Sequence, residues 1–148
     1  MQPTHATSDM PWAGARVGPQ RINGAYAWRQ LRDSGARLAL GSDFPVESVD
    51  PRLGLYSATT RSDREGLPVG GWHPQEKLTA YEALRGFTLD AAYAGFAENQ
   101  VGSLEVGKRA DFVLLAQDPL AIAPEGLPTL TVQATYVDGQ AVYRAPAR

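Results

Sequence analysis

The sequence predicts an α/β chain that gives way near residue 98 to a small all-β piece. Three observations carry this. "AYAWRQLRDSGARLALGSD" passes from helical spacing through a glycine into an apolar strand, the αβ half of a βαβ unit and hence of a parallel sheet. "TLTVQATYVDGQAVYR" sets Asp138-Gly139 between two alternating apolar runs, a hairpin signal. The chain's 148 residues, 43% hydrophobic and 20% charged, suit one ordinary soluble domain or a piece of a larger one.

Taken in order, residues 1 to 24 carry Pro3, Pro11, Gly14, Gly18 and Pro19 and read as a loop after a short strand end. Ala25, Trp28 and Leu31 then fall at helical spacing, and Gly35 suits the position just past a helix end. "ARLALGSD" is the strand that follows. Asp50 as N-cap with Pro51 at the first helical position opens the next helix. "RSDREGLPVGGWHPQ" is a long polar loop, of a length that often serves function. Thr79 and Glu82 have capping-box spacing ahead of a helix whose apolar stripe is Leu78, Tyr81, Leu84 and Phe87. Thr88 is the expected cap of a second short helix, "LDAAYAGF". Beyond Asn99 come a glycine-flanked turn, a β-rich run from Ala110 to Leu115, and the hairpin.

Composition excludes some classes of function. Fourteen Lys and Arg against sixteen Asp and Glu give a net charge of −2, with no basic run to track phosphates, so nucleic acid is not an expected partner. No stretch reaches the roughly 18 apolar residues of a membrane helix, and no signal peptide is visible. Cysteine is absent, which removes disulfides and thiolate ligands and fits a reducing, cytoplasmic setting. Only two histidines are present, His5 and His73, so a catalytic zinc, which takes about three protein ligands, would lean on carboxylates.

Among candidate site residues Asp43 comes first, because parallel α/β folds gather functional groups at the carboxyl ends of strands. The alternative is a turn cap, helped by Ser42. Glu47 could be a second carboxylate or a solvated loop residue. His5, with Asp9 nearby, could contact substrate or metal, or be a polar loop residue. His73, beside Trp72 and after two glycines, fits a closing loop or an exposed linker. Arg61 and Arg64 could hold an anion; a solvated face is the plainer reading. "GSLEVGK" lacks the Walker spacing, and no G-x-S-x-G nucleophile elbow occurs.

Four segments together, "QPTHATSDM", "GAYAWRQLRDSGARLALGSDFPVE", "LTAYEALRGFTLDAAYAGF" and "VGSLEVGKRADFVLL", resemble in this order the C-terminal third of metal-dependent amidohydrolases. The closest resemblance is to the YtcJ-like branch, the amidohydrolase 3 family. It covers nearly the whole chain, and "GSDFPVE" and "VGSLEVGKRADFV" are its most specific parts. It implies a (β/α)₈ barrel joined to a small β-sandwich, one or two divalent metals, usually zinc, and hydrolysis of amide-type C–N bonds in small molecules. On that mapping residues 1–98 are the end of the barrel, strands 7 and 8 with following helices, and residues 99–148 close the sandwich. Asp43, after the eighth strand, would be both metal ligand and the carboxylate that takes a proton from the attacking water. His5, at the end of the seventh, would face the substrate.

The family's His-x-His pair and its other metal ligands have no counterpart here and would lie upstream of Met1. The chain is thus expected to be a fragment with an incomplete site and negligible hydrolase activity. The rival expectation is a non-catalytic folding or association module, a homo-oligomer or a piece that completes a barrel with another chain, because unpaired strand edges seek partners. A third is an unrelated small α/β binding domain, in which Asp43 would not face a cavity from a strand end.

Overall fold

The structure, a computed structural model, describes residues 1–146. Its first element corrects the sequence reading: residues expected to form a loop make a 15-residue helix, α1 (Pro3–Val17). Pro3 sits at its start, where a missing N–H costs nothing, and Ala6 and Ala13 are buried along it. Pro11 lies inside and forfeits one intrahelical bond, which tertiary burial outweighs.

The other helices lie close to expectation. α2 (Trp28–Asp33) is shorter than its spacing suggested and is followed by Gly35 at φ 91°. Trp28 is fully buried, whereas Leu31 is exposed. α3 (Pro51–Thr60) begins as anticipated, with the Asp50 carboxylate accepting from the Arg52 amide. α4 (Ala80–Phe87) has its full capping box between Thr79 and Glu82. Its stripe is corrected at Tyr81, which is exposed; Ala83 and Gly86 form the buried face, because the helix lies close enough to its neighbour to admit only small side chains. α5 (Leu89–Ala94) follows without side-chain capping, since the Thr88 hydroxyl donates backward to the Leu84 carbonyl.

The predicted strand "ARLALGSD" has no ladder among the described residues. A strand needs neighbours to pair with, and among the described residues this segment meets only one of that kind. The Met1 nitrogen donates to the Ala39 carbonyl at 2.7 Å and the Gly41 amide donates to the Met1 carbonyl at 3.1 Å. Two such bonds bracketing Leu40 are the pattern of a parallel pair, cut to a single step. On its other side the Leu40 amide donates to the Gly86 carbonyl of α4.

The sheet that does form is antiparallel, in the order β1 (Phe112–Leu115), β2 (Val132–Val137), β3 (Gln140–Arg144). Asp138 and Gly139, at φ 52° and 76°, make the expected tight turn, both in the left-handed region. Phe112 pairs with Tyr136 in register, and their rings stack at 4.5 Å.

One apolar cluster ties these parts together. Ala6, Trp28, Leu38, Leu40, Leu55 and Leu78 meet Leu127, from the 3₁₀ segment Pro124–Thr129 packed on α3, and Leu130 just after it. The Arg52 guanidinium fixes that junction by donating to the Leu130 carbonyl at 2.6 Å. The buried pair Leu38 and Leu40 anchors the segment that ends in Asp43.

Candidate functional site

Asp43 follows directly on the anchored segment, with its backbone in the left-handed region at φ 58°. An aspartate tolerates that conformation better than most residues. The turn after it is closed by the Val46 amide donating to the Asp43 carbonyl at 2.8 Å and by the Phe44 amide donating to the Ser42 hydroxyl at 3.3 Å. The turn therefore uses the backbone of Asp43, and the side chain is left to do something else.

That side chain faces His5, in the first turn of α1. His5 Nε2 and Asp43 Oδ2 are 3.7 Å apart, too far for a direct hydrogen bond but close enough for both to face the same small volume. The carboxylate is half exposed at 52%, and the imidazole 24% exposed. His5 Nε2 is itself buried and has no hydrogen-bond partner. A buried ring nitrogen without a partner is costly unless something is meant to meet it.

Other candidates fall elsewhere. Asp9 does not attend His5; it accepts a short hydrogen bond from the Tyr26 hydroxyl, and burial with that bond pushes the Tyr26 phenol up to about 12. Glu47, half-buried, accepts from the Ser8 hydroxyl at 2.6 Å. His73 has φ 47° and packs edge-on against Trp72 at 4.6 Å. Arg64 is exposed, as read from the sequence.

Arg61 is the clear correction to a solvated reading. It is 0% exposed, lies over the Trp28 ring at 4.4 Å, and donates to the Trp72 and Tyr26 carbonyls. Burial pushes its guanidinium down to about 10. It pins the loop 61–73 to α2. Neither Ser8 nor Tyr26 was singled out from the sequence. Their partners Glu47 and Asp9 are distant along the chain, so spacing held no signal for either bond.

The donor set can be compared with what a metal requires. Imidazole nitrogen and carboxylate oxygen are both suitable zinc donors, and the unpartnered Nε2 is the kind of atom a cation would satisfy. Yet among the described residues no group of three or more His, Cys, Asp or Glu is placed to hold a metal ion. The site fits part of a metal centre, not a whole one.

Comparison with known proteins bears on what that part belongs to. The profile described as "Amidohydrolase family" matches residues 1–143. The chain is similar to YtcJ of Bacillus subtilis, which carries an amidohydrolase name, at 38% identity over 97% of this chain and 27% of that protein. It is also similar to the N-substituted formamide deformylase of Arthrobacter pascens, at 39% identity over 75% of this chain and 20% of that one. The crystal structure of an uncharacterized metal-dependent hydrolase from Pyrococcus horikoshii superposes with a TM-score of 0.73 at 29% identity, over 84% of this chain and 25% of the other. The chain thus spans roughly a quarter of the length of the proteins it matches. With a profile match across nearly its entire length, the chain belongs to the amidohydrolase family.

Proposed function

We propose that this chain contributes the Asp43 and His5 portion of a metal-dependent active site that hydrolyses C–N bonds of small amide-type substrates. In this reading Asp43 is both a metal ligand and the carboxylate that carries the proton, and His5 faces the substrate. The observation that supports it is the approach of a half-exposed carboxylate to a buried, unpartnered imidazole nitrogen at 3.7 Å. When bound, a divalent metal would lower the pKa of a water molecule toward neutrality. The residues of this chain have their own tasks. The Asp43 carboxylate, held by the Leu38–Leu40 anchor, accepts a proton from water and returns it to the departing nitrogen. The imidazole, fixed in the first turn of α1, orients the bond to be cut.

The barrel-end and sandwich division at residue 98 and zinc as the metal belong to the same reading and rest on the family resemblance; a cytoplasmic location rests on the absence of cysteine. No helix among the described residues is long and apolar enough to cross a membrane. With no full ligand set among its described residues, the 148-residue chain by itself is expected to have negligible hydrolase activity.

Elemental analysis of the purified chain and its Asp43→Ala variant, with native mass on the same samples, tests the assignment. Zinc well below one per chain is expected. One zinc per chain, lost in Asp43→Ala, would keep Asp43 as a ligand and place the remaining ligands on other copies. Stoichiometric zinc undiminished in Asp43→Ala overturns the role of Asp43.

A second reading, an association module, is favoured by one feature. An open apolar groove of about 1010 Å³ runs between α4, α5 and the sheet, lined by Leu84, Phe87, Leu104, Phe112 and Leu114. Both β1 and β3 are edge strands. A self-associated native mass without zinc would favour it; a cooperative monomer would count against it.

A further inference from the structure

The turn that carries Asp43 is lightly held. None of residues 42–47 is buried, and Phe44 and Val46 are 63% and 70% exposed, so no apolar side chain anchors it. The Phe44 and Val46 amides bond to Ser42 and Asp43, inside the turn itself. Among the described residues one hydrogen bond joins 42–47 to the rest of the chain: the Ser8 hydroxyl donates to Glu47 Oε1 at 2.6 Å. That length is typical of a hydroxyl meeting an ionised carboxylate, the stronger kind of hydrogen bond.

Its place matters as much as its strength. The start of the chain and the segment carrying Asp43 meet in the same order along both. First the Met1 nitrogen donates to the Ala39 carbonyl, and the Gly41 amide donates to the Met1 carbonyl. Next His5 faces Asp43 at 3.7 Å, with no hydrogen bond between them. Last, Ser8 holds Glu47. The His5–Asp43 approach therefore lies between two fixed points and is not fixed by its own side chains. Ser8 is three residues beyond His5, a neighbour on the same face of α1 about 4.5 Å further along the axis. The helix between them carries the position of one to the other.

We propose that Ser8 and Glu47 are positioning residues: their hydrogen bond clamps the Asp43 turn against α1 and sets the separation of the Asp43 carboxylate from the His5 imidazole. Without it the turn is tied only at its chain ends, Gly41 and the Asp50 cap of α3, and Asp43 can swing away from His5. Groups that act together on a substrate must be held to within about 0.5 Å, and side chains that touch neither substrate nor metal commonly do the holding. That this separation serves hydrolysis rests on the proposed function; the clamp itself does not.

NMR of the full chain tests this through the nuclear Overhauser cross-peak between the His5 ring and the Asp43 β protons, together with backbone order parameters at Phe44, Val46 and Glu47. The parent chain should show the cross-peak, with order parameters of about 0.85. Ser8→Ala and Glu47→Ala should each weaken the cross-peak severalfold and bring those order parameters below about 0.6. Combining the two should do no more than either alone, because there is one bond to lose. Ser8→Thr, which keeps the hydroxyl, should restore the parent signals. Cross-peaks between Met1 and Leu40 report that each variant is still folded. A global unfolding midpoint is the wrong readout for Ser8→Ala, because alanine's helix propensity offsets part of the lost bond. Signals unchanged in both alanine variants, additive losses in the double variant, or no rescue by Ser8→Thr overturns the clamp. Zinc undiminished in Asp43→Ala would defeat the proposed function and leave these signals unaffected, so the two readings fail separately.

Discussion

His5 Nε2 and Asp43 Oδ2 stand 3.7 Å apart because one occupies the first turn of α1 and the other the end of the segment that pairs with Met1. Neither side chain is committed to holding its own element. The Asp43 turn closes through backbone and Ser42, and α1 begins with Pro3. Asp43→Asn should therefore change stability by less than about 0.5 kcal/mol in urea denaturation, as a surface change away from caps and core does. A loss above about 2 kcal/mol would mark Asp43 as structural.

Arg61 should behave oppositely. Its guanidinium is buried against Trp28 and Trp72 and satisfies the Tyr26 and Trp72 carbonyls. Arg61→Ala leaves a cavity and two unpaired carbonyls, and is expected to cost about 3 kcal/mol or more. Arg64→Ala, on the exposed side of the same loop, should stay within about 0.5 kcal/mol. Equal effects of the two would refute the pinning role.

Glu82 governs the acid limb. Its carboxylate receives Arg29 at 2.5 and 2.8 Å, lies 3.2 Å from Arg32, and accepts the Thr79 amide. The Arg29 hydrogen bonds, the largest cause, hold its pKa at about 2, below its ordinary 4.5. A depressed folded-state pKa contributes stability that is present above pH 4.5 and lost as pH falls toward 2. Glu82→Gln should lower stability at pH 7 by about 2 kcal/mol and flatten that acid loss. Denaturation midpoints measured across the window decide it.

The alkaline limb belongs to Tyr26. Its phenol is raised from 10.0 to about 12 by burial and by Asp9, so its contribution is complete below pH 10 and is lost between pH 10 and 12 as the unfolded chain ionises first. Tyr26→Phe should remove that part of the alkaline loss. An unchanged slope in Tyr26→Phe would assign the loss to other groups.

Gly86 tests the anchor under Asp43. A Cβ there would lie 2.6 Å from Leu40 Cγ and 3.1 Å from the Leu38 carbonyl, so α4 can approach the segment only with glycine at this position. Gly86→Ala should destabilise by about 1–3 kcal/mol despite alanine's better helix propensity. It should also move the NMR signals of Leu38 and Leu40. A neutral or stabilising result would show that the two elements pack more loosely than this.

The amino-acid sequence alone determined what is local. The α3 cap at Asp50, the Thr79–Glu82 capping box and the Asp138-Gly139 turn are each decided within a few residues, by side-chain bonds to nearby amides or by φ preference. Asp43 is legible as a candidate because an acid directly after an apolar run reads as the carboxyl end of a strand, where parallel α/β folds gather functional groups. The tertiary structure decided what depends on distant partners. Pro3 and Pro11 looked like loop residues until the burial of Ala6 and Ala13 stabilised a helix around them. "ARLALGSD" had the apolar content of a strand, but a ladder requires neighbouring strand backbone, and among the described residues only Met1 supplies it. Arg61 became a core residue because two tryptophans and two carbonyls from other segments close around its charge. The unpartnered His5 Nε2 is a tertiary fact of the same kind. Whether a buried polar atom has a partner depends on every element that surrounds it, and no local pattern of residues encodes that.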